Sequence, residues 1–206
     1  MRRLKIRGTG ENMTANMLAP VPGDELQYRA EIAPIGTLTY QQSVDAGVDA
    51  VAEYDAAGGP YVMITYSLGC CVGIEAIIRG RAPRCIGVVA VANPLRCGGV
   101  GRPTWGIAGQ VQVPVPIVNL WIPDDPITSL PGTDGSRALA VAITGRDQPR
   151  SLGWWNAAAI VASMWRYLVA GRHTAYAHER MADGRTYIER ARDEADRMVA
   201  APGDGR

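Results

Sequence analysis

Three short runs constrain this chain most. Tyr61–Tyr66, residues 85–92 and residues 116–121 are almost continuously apolar, without the polar alternation of a half-exposed strand. A strand reads this way when both of its faces are covered, as inside a parallel sheet with helices on either side. The segments between them carry helical periodicity. Val44, Val48, Val51 and Tyr54 recur at helical spacing behind Thr39 and Gln42, which have capping-box spacing, so residues 40–56 read as a helix. Residues 67–79, 154–169 and 184–200 read as three more. In the last, Ile188, Ala191, Ala195 and Met198 form one side. Arg190 with Glu194 and Asp193 with Arg197 form a solvated face of i,i+4 pairs. Leu4 to Arg7 reads as a first strand closed by Gly8-Thr9-Gly10, and Gln27 to Ile32 alternates weakly as a second. Alternating strands and helices predict an α/β fold in one domain spanning 1–206, with a central, mostly parallel sheet and helices on both faces. The Gly-, Pro- and Val-rich stretch 95–114 reads as a long loop of the kind that lines sites.

Composition narrows the function. The 206 residues are 47% hydrophobic and 20% charged, values of a globular chain able to bury a large core unaided. Twenty-one Lys plus Arg against 20 Asp plus Glu leave a net charge of +1. That balance supplies no electrostatic drive toward nucleic acid or an anionic membrane. The basic start of the chain lacks the apolar run of a secretory signal, so the expectation is synthesis in a cytoplasm. The apolar stretch 152–169 contains Asn156, Ser163 and Arg166, which suits a buried helix better than a membrane span. Cys70, Cys71, Cys85 and Cys97 show no CxxC spacing and are expected as free thiols, Cys70 and Cys71 packed behind Ser67.

Thr65-Tyr66-Ser67-Leu68-Gly69 lies where the first doubly covered strand gives way to a helix. A nucleophile elbow needs this context, with small residues two before and two after the serine. The competing reading is a serine that caps the following helix. Elbow serines take their partners in the chain order Ser, acid, His. Asp124 and Asp125 follow the run 116–121, where an acid should project, although Asp beside Pro126 is also a common turn former. The two histidines are His173 and His178, and His173 follows the break at Gly171. An oxyanion hole needs two backbone amides. Leu68, after the serine, offers one, and the loop Gly8-Thr9-Gly10 offers a second. Trp105, Ile107, Val111, Val113, Trp154 and Trp155 are candidates for an acyl-chain groove, with core packing the competing role.

Several separated segments together resemble one family. Arg7-Gly8-Thr9-Gly10-Glu11, Tyr40-Gln41-Gln42-Ser43-Val44, Tyr66-Ser67-Leu68-Gly69, Ala92-Asn93-Pro94-Leu95-Arg96, Pro123-Asp124-Asp125-Pro126 and His173-Thr174-Ala175-Tyr176 occur in the order found in lysin B. These are esterases of actinobacteriophages, related to cutinases. The resemblance implies an α/β-hydrolase fold of cutinase type with a short cap. It implies Ser67 as nucleophile, Asp125 as acid, His173 as base, and Thr9 with Leu68 as the oxyanion hole. It also implies hydrolysis of mycolyl-type lipid esters of the host envelope at lysis, without a metal or organic cofactor. The sequence departs from the family at Thr65, where Gly is usual, at Leu68, often Gln, and in a short Asp125-to-His173 interval. These departures keep a second reading in view, a virion or tail component that uses the fold to adhere to a lipid envelope.

Overall fold

The computed structural model describes residues 1–98, 104–147 and 171–200. In chain order its elements are β1 (Arg2–Ile6), β2 (Asp24–Glu25), α1 (Tyr40–Ala56), β3 (Tyr61–Tyr66), α2 (Leu68–Ile78), β4 (Cys85–Val91), β5 (Thr104–Trp105), β6 (Ile117–Leu120), β7 (Leu130–Pro131) and α3 (Asp134–Thr144). A 3₁₀ turn, Arg172–Ala177, and α4, Tyr187–Ala200, follow. The expected helix at 154–169, with Trp154 and Trp155, lies outside the described residues.

The main sheet runs β2-β1-β3-β4-β6, and every pairing in it is parallel. The two-residue period of the strands divides the core between its faces. Leu4, Ile6, Met63, Val88 and Ala90 point toward α1 and α2. Ile64, Tyr66, Val89 and Val91 point to the other side, where Ile188, Ala191 and Ala195 of α4 meet them. Every residue of α2 from Leu68 to Ala76 is buried. Apart from Glu75, which pairs with Arg79 and Arg146, α2 is apolar on every side, as suits a helix covered by both sheet and α1. The Thr39–Gln42 capping box starts α1. Among the described residues no helix is long and apolar enough to cross a membrane.

Four expectations change. The strand at residues 27–32 does not form. The Arg7 guanidinium takes the Leu26 and Tyr28 carbonyls, Ser43 Oγ takes that of Arg29, and the Gly10 amide takes that of Ala30. The backbone is therefore satisfied without a ladder, and the sheet edge is Asp24–Glu25 instead. Among the described residues the third apolar run is an edge strand: Ile117, Val118 and Asn119 are half-buried, with Asn119 accepting from Asn93 Nδ2 at 2.8 Å. On α4 the expected Arg190–Glu194 pair forms, but Glu194 is buried and also takes Arg197, while Asp193 pairs with Arg185 in place of Arg197. Finally, the stretch 95–114 is tied down along its described part. β5 pairs antiparallel with β7, and the amides of Gly106, Ile107, Ala108 and Val111 donate to the carbonyls of Arg96, Ile127, Pro94 and Leu95. The helix α3 is an element that no expectation covered; Thr133 caps it by accepting from the Ser136 amide, and Gly145 ends it in the left-handed conformation.

Candidate active site

The carboxyl ends of β1, β3, β4 and β6 lie along one edge of the sheet, where open parallel sheets hold their sites. At the end of β3 the chain reverses sharply into α2. Ser67, at the corner, has φ 53° and ψ −120°, a positive-φ conformation uncommon for a residue with a side chain. The corner is held by the Ser67 amide on the Val91 carbonyl, 3.1 Å, and the Cys70 amide on the Ser67 carbonyl, 2.9 Å. Its tightness sets the neighbouring residues. A Cβ on Gly69 would overlap the Ile6 carbonyl, and one on Gly8 would come within 3.1 Å of Ser67 Cβ and 2.8 Å of the Tyr66 ring. Thr65 fits because Gly73, one turn into α2, leaves its methyl room: a Cβ there would stand 3.2 Å from Thr65 Cγ2. Ser67 makes no side-chain cap on α2.

Its hydroxyl instead meets His173 Nε2 at 2.8 Å. His173 Nδ1 lies 2.9 Å from Asp125 Oδ2. All three side chains are buried, and Asp125 is 0% exposed. The structure therefore brings Ser67, His173 and Asp125 into one hydrogen-bonded line. Asp124 turns outward into an ion pair with Arg172, which also grips Glu179, and His178 is exposed beyond the 3₁₀ turn. Asp125 is held from several directions. Oδ1 accepts from the Ile127 amide at 3.0 Å, and its carbonyl accepts from the Thr128 hydroxyl at 3.2 Å and the Ser129 amide at 2.9 Å.

Thr9 lies between Gly8 and Gly10, next to the serine corner. The amides on either side of it are taken, Gly8 by Glu11 Oε2 at 2.7 Å and Gly10 by the Ala30 carbonyl at 2.7 Å. Among the described residues nothing takes the Thr9 amide. Leu68, as the first residue of α2, has an amide that no intrahelical carbonyl can reach. Arg7 steadies this loop by donating to the carbonyls of Glu11, Leu26 and Tyr28.

Two aromatic residues at the site were not singled out in the sequence. Tyr66 donates to the His173 carbonyl at 2.6 Å and stacks on its imidazole, centroids 5.6 Å apart and 19° between planes. Tyr176 donates to Asp125 Oδ2 at 2.6 Å. Their signals were slight: Tyr66 precedes the serine, and Tyr176 is three residues past the histidine. Two buried arginines were missed as well. Arg96 fastens the acid-bearing loop through the Thr128 carbonyl, 2.9 Å, and Ser129 Oγ, 3.3 Å. Arg137 donates to the carbonyls of Pro131, Gly106, Leu130 and Trp105 and lies over the Trp105 ring at 3.8 Å. Burial lowers its pKa to about 9, which still leaves it cationic at neutral pH. Trp105 and Ile107 are consequently buried in packing, and Val111 and Val113 lean on the main core. All four cysteines are free, and burial pushes the thiol of Cys71 up to about 12 and that of Cys85 to about 11.

The architecture is that of an α/β-hydrolase. Neither protein-family models nor curated proteins give a match to the chain. Solved structures do. Lysin B from Mycobacteriophage D29 is similar with a TM-score of 0.54 and 15% identity, covering 96% of this chain and 98% of that one. A cutinase-like protein from Cryptococcus sp. is similar with a TM-score of 0.56 and 13% identity, covering 96% and 93%. At these identities the likeness establishes the fold.

Proposed function

We propose that this protein is a serine esterase with Ser67 as nucleophile, His173 as base and Asp125 as the acid that orients it. The observation that carries the reading is the Ser67–His173–Asp125 line, 2.8 and 2.9 Å per link, set on a positive-φ corner between β3 and α2. In the proposed reaction His173 Nε2 takes the hydroxyl proton as Ser67 Oγ attacks the ester carbonyl. The amides of Thr9 and Leu68 receive the developing oxyanion. Collapse expels the alcohol, which takes the proton from His173, and leaves an acyl-enzyme on Ser67. Water, deprotonated by His173, then releases the acid. Asp125 keeps Nδ1 protonated so that Nε2 is the free base.

We further propose a lipid ester of mycolyl type as substrate, reached at the actinobacterial envelope during phage lysis. The ordered motifs shared with lysin B support this reading, and the fold likeness agrees with it. So does Ile35, which at 56% exposure is the most exposed large apolar side chain among the described residues. It lies against Gly10, where a Cβ would stand 3.0 Å from Ile35 Cγ2, and so borders the oxyanion loop. An apolar tip in that place suits an acyl chain.

The test is labelling of the purified protein by a fluorophosphonate probe, followed by hydrolysis of p-nitrophenyl esters of short and long acyl chains. Ser67→Ala should abolish labelling and lower turnover by on the order of 10⁶, as loss of a triad nucleophile does elsewhere. Ile35→Ser should lower kcat/KM on the long-chain ester several-fold more than on the short one; equal loss on both would remove the acyl-chain role. A well-folded protein that resists the probe would return the adhesion reading.

A further inference from the structure

We propose that Tyr176 is a positioning residue that sets the basicity of His173 through Asp125, an inference that rests on the esterase reading above. In a 3₁₀ turn residues three apart eclipse one another. His173 and Tyr176 therefore leave Arg172–Ala177 on one face, and both reach the same carboxylate oxygen. Asp125 Oδ2 receives His173 Nδ1 at 2.9 Å and the Tyr176 hydroxyl at 2.6 Å, while Oδ1 receives the Ile127 amide at 3.0 Å. The hydroxyl has its own donor behind it, the Ile122 amide at 3.2 Å, so its proton is directed toward Asp125. The ring is wedged edge-on against Tyr66 and Tyr187, centroids 6.1 and 5.3 Å away.

The chemistry follows from what a shared oxygen can give. A short O–H donor to a carboxylate is a strong, charge-assisted bond. It draws charge from the oxygen that would otherwise stabilise the imidazolium, so in this proposal Tyr176 favours the neutral imidazole that accepts the serine proton. Tyr176 can hold this role throughout the working range, because burial first, and then the Asp125 charge, raise the pKa of its hydroxyl. Among the described residues, other groups also face His173 or its turn. Tyr66 stacks on the ring from β3 and Ser67 faces Nε2; Arg172, on its own turn, is engaged by Asp124 and Glu179, and Tyr187 of α4 stands behind Tyr176.

The experiment is Tyr176→Phe in the full chain, with kcat/KM measured against pH on a short-chain ester. The acid limb should move up by roughly 0.5 to 1 pH unit, the size expected for losing one hydrogen bond to the charged partner. Activity below the limb should fall about 3- to 10-fold and recover toward the unaltered enzyme above it. A uniform loss at all pH values, with the limb in place, would make Tyr176 a packing residue and overturn the proposal. NMR titration of the imidazoles gives the same answer without turnover: His173 should shift and the exposed His178 should not. In the unaltered protein the Tyr176 hydroxyl proton should be slowly exchanging, downfield, and close to the His173 Nδ1 proton. Its absence would also overturn the proposal. Failure of the esterase reading shows separately, as no probe labelling of the unaltered protein.

Discussion

The serine corner and the acid–base pair face each other across less than 3 Å, yet they are built in opposite ways. Ser67 is held by backbone: two main-chain hydrogen bonds fix the turn, and the absence of side chains at Gly8, Gly69 and Gly73 makes room for it. Asp125 and His173 come from segments 48 residues apart and are fixed by the side chains of Tyr66, Tyr176 and Thr128 together with the Ile127 and Ser129 amides, with Arg96 and Arg137 fastening the loop behind them. A backbone-built site is broken by adding atoms. A side-chain-built site is broken by removing polar ones, because the partner left behind is buried and unsatisfied.

The largest test of this contrast is on the acid. Asp125→Asn keeps the shape and removes the charge that fixes the imidazole tautomer, so activity should fall by up to about 10⁴. His173→Ala should be as damaging as Ser67→Ala. Asp124→Asn and His178→Ala should each stay within a few-fold of the parent, since both lie outside the line. Steady-state kinetics on one short-chain ester settles all four, and a dead Asp124→Asn beside an active Asp125→Asn would reverse the assignment.

Alkali should act next, through the serine side, where α2 and β4 carry the buried thiols. Burial raises Cys71 to about 12 and Cys85 to about 11 from an ordinary value of 9.0. The folded state thus holds protons that the unfolded chain releases. This contribution is complete below about pH 9 and is lost as pH rises through the folded values, at about 1.4 kcal/mol per thiol for each pH unit. Denaturant melts at pH 8 and pH 10 should show the decline, and Cys71→Ala should flatten it. A steeper slope in that variant would exclude the thiol as its source.

Smaller effects separate two positions that flank the same serine. Gly69→Ala forces a methyl onto the Ile6 carbonyl and should cost about 1–3 kcal/mol of stability, with loss of probe labelling. Thr65→Gly restores the residue more usual in the resembling family. It should leave labelling within a few-fold and cost about 1 kcal/mol, mainly through glycine's freedom in a strand and a lost methyl. Equal damage at both positions would mean that the corner is not shaped by backbone clearance.

Legibility in the sequence follows the same division. The run Tyr61–Tyr66, the corner at Ser67 and the helix after it were readable because each depends on residues close in the chain: periodicity, small flanking residues and a strand-to-helix junction. The Thr39–Gln42 box marked the start of α1 for the same reason. The acid and base were readable as pairs of candidates, Asp124 or Asp125 and His173 or His178; the break at Gly171 and the place of Asp125 beside Pro126 favoured His173 and Asp125, and the family resemblance implied the same pair. What tertiary structure decided are the through-space matters. It turned Asp124 to solvent and Asp125 to the imidazole, and made residues 117–120 an edge strand. It let Arg7, Ser43 and the Gly10 amide take the Tyr28, Arg29 and Ala30 carbonyls that a strand at 27–32 would have needed, and put Arg137 where four carbonyls and Trp105 await it. Burial and hydrogen-bond partners belong to the packed chain, and a linear pattern encodes only which faces can be buried, not which distant atoms will meet there.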